Sequence, residues 1–118
     1  MDKYGIGVSG ETAAKGYLES IGYKIVDTNV NFPGVGELDV VATDGNTLVF
    51  VEVRTRSDNV FGNPLETVTP AKIRKIVASS RRYLMTHNAR YGAYRYDVIG
   101  IVHGKITHIK NAFYASWR

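Results

Sequence analysis

Gly36-Glu37-Leu38-Asp39-Val40-Val41-Ala42, Thr43-Asp44-Gly45-Asn46 and Thr47-Leu48-Val49-Phe50-Val51-Glu52-Val53-Arg54 read as one hairpin. Both arms are rich in Val and other apolar residues, the composition of buried strands. Each arm nevertheless carries an acid in its middle. With side chains alternating faces, Glu37, Asp39 and Val41 are expected on one face of the first arm, and Phe50, Glu52 and Arg54 on one face of the second. If Gly45-Asn46 is the two-residue tip, Asp39 lies directly opposite Glu52. If the tip is Asp44-Gly45, Asp39 opposes Phe50 and Glu52 is its diagonal neighbour, roughly 7–8 Å away. A three-residue tip breaks the pairing unless a bulge restores it. Like charges facing each other across strands repel. A hard divalent cation with oxygen ligands offsets that repulsion; pairing of Glu52 with Arg54 or Arg56 on a solvated face is the plainer alternative.

The other elements follow outward from the hairpin. Upstream, Ser9 or Gly10 can cap a helix running to Ser20 or Ile21, with Ala13, Ala14, Tyr17, Leu18 and Ile21 as its apolar stripe. Glu11 borders that stripe in the first turn, where an acid suits the positive end of the helix dipole; its functional alternative is a third carboxylate aimed at the helix–sheet junction. Gly5-x-Gly7-x-x-Gly10 matches a dinucleotide-binding string, but only four residues precede Gly5, too few for the strand that motif needs. Gly22 ends the helix, Tyr23–Phe32 reads as a strand, and Pro33-Gly34-Val35-Gly36 as a turn.

Downstream, a long polar stretch runs from Arg54 to about Val68. Thr69-Pro70 is a strong helix start, and the helix is expected to reach Met85 with Ile73, Ile76, Val77, Ser80 and Leu84 facing inward. Lys72, Arg74, Lys75, Arg81 and Arg82 are basic, with no acid between Pro70 and Thr86. Solvated helix faces usually mix signs, so a purely basic face suits a surface that tracks phosphates. Tyr94–Val102 and Lys105–Lys110 read as strands joined by His103-Gly104, and the tail from Phe113 to Arg118 is aromatic, able to pack on the body or to stack on bases. The element order is α-β-β-β-α-β-β.

The chain has 118 residues, suited to one domain over 1–118 with a real core. No Cys is present, which removes disulfides, zinc–thiolate sites and cysteine nucleophiles. No apolar run is long enough to span a bilayer and no signal-peptide core is visible, so the expectation is a cytoplasmic protein without a membrane partner. A net charge of +4 is a modest bias towards polyanions. His103 and His108, five apart across a turn, lack a zinc spacing and read as surface residues. What remains is a carboxylate site beside a basic helix, which suits phosphodiester hydrolysis. An ion held by Asp39 and Glu52, with the Val53 carbonyl as a further oxygen ligand, would polarise the phosphoryl oxygen and acidify a bound water. Glu11 could hold a water or a second ion, and nearby Lys or Arg would neutralise charge on the phosphate.

An acid in one strand and Glu-x-Lys in the next, between two helices, is the pattern of the PD-(D/E)XK nuclease superfamily. The chain resembles in particular the YraN-like family of endonuclease-like proteins, itself similar to archaeal Holliday junction resolvases. The stretches that carry the resemblance are Gly10–Ala14, Gly36–Val41, Phe50–Arg56, the Pro70–Leu84 helix and Arg95–Val98. It implies an α/β, restriction-endonuclease-like core: a mixed central sheet of about five strands flanked by helices. It implies a Mg2+- or Mn2+-dependent endonuclease acting on DNA, branched or single-stranded DNA included, with Glu11, Asp39 and Glu52 at the acidic site positions. A resolvase-like role would also favour a homodimer, because two strands must be cut symmetrically. The motif's Lys is Arg54 here. Arg stays protonated, so the role of base does not transfer to it, whereas a bidentate phosphate clamp does. Lys72 or Lys75 could replace the missing Lys in space. The alternative function is a nucleic-acid-binding module with an inactive or vestigial site.

Overall fold

The computed structural model describes residues 10–56, 63–88 and 90–115. Helix α1 (Gly10–Ser20) leads into strands β1 (Lys24–Phe32), β2 (Gly36–Asp44) and β3 (Thr47–Arg56). A short 3-10 turn, Pro64–Thr67, precedes α2 (Pro70–Thr86), and β4 (Ala93–Val102) and β5 (Lys105–Phe113) complete the order α-β-β-β-α-β-β. Ser9 as a cap, the Gly5/Gly7 string and Trp117 lie outside the described residues.

The five strands form one sheet in the order β1-β2-β3-β4-β5. Every neighbouring pair is antiparallel except β3 and β4, which run parallel because α2 carries the chain back across the sheet. The sheet is therefore mixed, and it is buried on both faces. Leu48, Phe50, Tyr96 and Val98 pack with Ile76, Val77 and Tyr83 of α2. Val49, Val51, Ile99 and Ile101 pack with Ala14 and Leu18 of α1 on the opposite face. Two-sided burial explains why β2, β3 and β4 are continuous apolar runs, so that the acids among them stand out.

Helix α2 starts as its sequence predicts: Thr69 Oγ1 accepts the Lys72 N–H at 3.1 Å, and Pro70 occupies the first turn. Its inner face includes the expected Ile76, Val77 and Ser80, together with Ser79 and Tyr83. Ile21 is an exception to the α1 stripe, being 43% exposed just beyond the helix end. The final strand runs three residues past Lys110, and Phe113 stacks on Tyr96 with ring centroids 5.0 Å apart, so this part of the aromatic tail packs on the body.

The hairpin tip is Gly45-Asn46: Asp44 pairs with Thr47 and the register continues to Val40 opposite Val51. The same register carried one step further sets Asp39 against Glu52. Strict alternation along β2 fails, however. Leu38 and Val41, three apart, both join the α2-side core, while Val40 and Ala42 face α1. Glu37, Asp39 and Val41 therefore do not share one face as period two predicts. Beside it in the neighbouring strand, Asn29, between the Thr28–Val40 and Val30–Leu38 pairs, takes a left-handed backbone with φ 52°. Asn tolerates that conformation where most residues do not.

Candidate active site

The site forms where β2 begins and β3 ends. The ladder between these strands stops at Val40–Val51, and beyond it Asp39 Oδ2 accepts the Val53 N–H at 2.9 Å. That bond points the Asp39 carboxylate at β3. Glu52 is only 4% exposed, with its Oε2 3.6 Å from Arg54 Nη1 and 3.7 Å from Lys72 Nζ. Burial, chiefly, and the neighbouring Asp39 charge push the Glu52 carboxyl up from 4.5 to about 7, against the opposing pull of Lys72 and Arg54. A side-chain hydrogen bond between Glu52 and Asp39 adds to the rise.

Glu11 reaches the same neighbourhood from the first turn of α1. Burial first, then the charge of Asp39 and more weakly that of Glu37, raises its pKa, while an Asn29 side-chain hydrogen bond and Lys15 oppose the rise. The unusual backbone of Asn29 thus also places a side-chain amide on a site acid. Gly10 lets α1 come this close, because a Cβ there would run into the Thr55 side chain. Glu11 therefore feels the charge of Asp39. Among the described residues no three Asp, Glu or His side chains converge as a ligand cage. The donor set at the centre is Asp39 and Glu52, two hard oxygen ligands whose mutual repulsion a divalent cation relieves, and this chemistry fits Mg2+ or Mn2+.

The cations are divided between two places. Arg54 is braced by the 3-10 turn: its Nε donates to Thr67 Oγ1 at 3.1 Å, and Thr67 Oγ1 donates to the Pro64 carbonyl at 2.7 Å. Lys72, in the first turn of α2, is drawn to Glu52. Lys75 lies instead with Arg74, Arg81 and Arg82 along a groove of about 660 Å3 between α2 and the Gly34-Val35 turn. Gly36 permits that close packing of α2, since a Cβ there would come 2.8 Å from Ser79 Oγ. The five basic residues read from the helix thus separate into one at the carboxylates and four along the groove.

A second polar cluster was not anticipated. Asp97 is fully buried on the α1 side. Its carboxylate accepts from Arg95 Nε at 2.9 Å and from the Asn111 N–H at 3.0 Å, and lies 2.8 Å from His108 Nε2. Burial alone would raise the Asp97 pKa, but the bonds from His108, Arg95 and Asn111 outweigh it and leave it lowered. Arg95 continues to Asp44 at 3.2 Å, and the Tyr17 hydroxyl lies 3.2 Å from His108 Nδ1. His108 is therefore no surface residue: its side chain is 5% exposed. Its inward position follows from the β5 register, in which His108 pairs with Ile99 of the α1-side core. The signal available beforehand was Arg-x-Asp inside an apolar strand.

A family model described as "Uncharacterised protein family UPF0102" matches residues 10–101. The chain is 39% identical over 107 residues to a UPF0102 protein of Persephonella marina, covering 91% of each chain. It is 44% identical to one of Beutenbergia cavernae, over 85% of this chain and 84% of that one. A Geobacter sulfurreducens relative is 42% identical over 92% and 88%. The matched region contains Glu11, Asp39, Glu52, Arg54 and the whole of α2.

Proposed function

The chain belongs to the UPF0102 family, and from that premise we propose that it is a metal-dependent endonuclease that hydrolyses phosphodiester bonds in DNA. The observation that carries this reading is the buried Glu52 carboxyl, coupled to the half-buried Asp39 and held between Lys72 and Arg54, on a fold whose α2 also carries a basic groove. Asp39 and Glu52 would hold Mg2+ or Mn2+, with the Val53 carbonyl available as a further oxygen ligand; when bound, the ion polarises the phosphoryl oxygen and makes water a better nucleophile at neutral pH. Arg54, braced by Thr67, presents a planar fork to the phosphate. Lys72, 3.7 Å from Glu52, would supply the second positive charge in lieu of the Lys that the superfamily pattern has where β3 carries Arg54. Both cations stabilise charge that gathers on the phosphate in the transition state. Glu11, its carboxyl raised by burial and by the charge of Asp39, would serve as the auxiliary acid, holding a water or a second ion. Arg74, Lys75, Arg81 and Arg82 track the backbone of the nucleic acid.

The test is cleavage of duplex, single-stranded, flap and four-way-junction DNA with Mn2+ or Mg2+, against chelator and against Glu52→Gln. Metal-dependent cutting that disappears in the variant supports the reading. Binding in chelator with no cutting of any substrate would leave a nucleic-acid-binding module in its place.

A further inference from the structure

A second cavity, of about 510 Å3, is lined by Arg54 and shares no residue with the groove of α2. Its floor lies at the carboxyl ends of β3 and β4, the one parallel pair in the sheet, with Thr107 of β5 beside Gly100. Ligands in open α/β sheets gather at such ends. Its roof is the 3-10 turn. Gly100 admits that turn, because a Cβ there would collide with the Pro64 ring. Arg54, Arg56 and Lys105 line the cavity together with Pro64 and Ile101, and Glu66 is its one acid among the described residues. The lining thus combines positive charge with an apolar surface.

Arg54 belongs both to this cavity and to the carboxylate pair, through its 3.6 Å contact with Glu52. A group seated here lies next to whatever occupies the Asp39–Glu52 site. The volume falls within the range of small-ligand sites, about 300–1,000 Å3. A cavity of about 510 Å3 suits a single nucleotide extruded from its stack rather than a base pair. We propose that this cavity binds one unpaired nucleotide of the substrate strand, the one adjoining the phosphate held at Asp39 and Glu52. Its base lies against Pro64 and its phosphate meets Arg56 and Lys105. The proposal rests on the nuclease reading and makes the substrate a strand with an unpaired nucleotide at the cutting point.

The experiment titrates the 15N-labelled protein in chelator, so that nothing is cut, with a 5′-phosphorylated thymidine tetramer, with a blunt duplex and with inorganic phosphate. The tetramer is expected to move the Gly100 and Thr107 amides and to bind at least tenfold more weakly to Lys105→Glu and to Thr107→Trp. Both positions are exposed, and an unchanged melting temperature shows that the variants fold. Equal affinity for duplex and tetramer overturns the proposal, as does equal affinity for phosphate alone or binding that leaves Gly100 and Thr107 unmoved. A parallel cleavage assay separates the two readings. Shifts at Gly100 without cutting by any metal keep the pocket and remove the nuclease; cutting with Gly100 unmoved removes the pocket alone.

Discussion

Glu52 is a buried acid that prefers its proton, and this makes the fold sensitive to pH in an unusual direction. In the unfolded chain its carboxyl titrates near 4.5, and in the folded protein near 7. Between these values the folded state holds a proton that the unfolded state has released. The contribution to stability is therefore complete below 4.5 and is lost as pH rises through 7. The difference between the two values corresponds to about 3 kcal/mol. For a chain of this size, each kcal/mol moves the melting temperature by roughly 4 °C, so the whole effect is about 12 °C.

The assay is thermal unfolding from pH 4.5 to 8.5 in chelator, comparing the wild type with Glu52→Gln. Other groups titrate as well, but the difference between the two proteins isolates Glu52. The variant keeps the shape and the hydrogen-bonding capacity of the protonated acid and cannot ionise. It should match the wild type within a few degrees at pH 4.5 and exceed it by about 12 °C above pH 8. Parallel curves across the whole range would refute the buried-acid account of Glu52. So would a wild type that gains on the variant as pH rises.

Asp97→Ala should cost about 3–5 kcal/mol in urea unfolding, because Arg95 and His108 lose their common buried partner. Asp97 also sets the acid limb: its lowered pKa adds stability above 3.8 that disappears as pH falls through the folded value, so Asp97→Asn should flatten stability in that window. At pH 8, 10 mM Mn2+ bound with a Kd on the order of 1 mM should raise the wild-type melting temperature by roughly 6 °C, and Asp39→Asn should abolish the rise; an equal rise in both proteins would remove Asp39 from the ligand set. Alanine at Arg74, Lys75 or Arg82 should each lower the slope of log affinity for DNA against log salt by about 0.7–0.9, and unchanged slopes would take the groove out of the interface.

The sequence was most informative where one local rule decided the outcome. Thr69-Pro70 starts α2 because a side-chain acceptor and a fixed φ suffice there. The Gly45-Asn46 tip was one of three turns the residues allowed, and the register from Asp44–Thr47 up to Val40–Val51 selects it. The acids stood out because they interrupt strands buried on both faces. The slip of alternation across Asp39 was hidden, since it coincides with a left-handed backbone at Asn29 on a different strand, which no local rule in β2 announces. His108 was misread for a similar reason: a histidine near a turn looks exposed until the buried Asp97 of the neighbouring strand claims it. Lys72 and Lys75 were equivalent candidates on paper, and only the position of α2 over β3 separates them, one at Glu52 and one in the groove.

Charge at the site also constrains the order of binding. Asp39 lies within electrostatic reach of both Glu52 and Glu11, and Glu37 within reach of Glu11. Lys72 and Arg54 are both already engaged with Glu52. With Glu52 ionised and no cation present, a phosphate approaching this end of the sheet meets excess negative charge. Two events relieve it: protonation of Glu52, or binding of a divalent ion between Glu52 and Asp39. Affinity of the metal-free protein for DNA should therefore weaken as pH rises through 7, and Glu52→Gln should remove that weakening while leaving the salt slope contributed by α2 intact. Electrophoretic or anisotropy titrations in chelator at pH 6 and pH 8, at one salt concentration, measure it directly. If wild type and variant lose affinity equally with pH, the carboxylates lie outside the path of the strand, and the basic groove alone accounts for binding.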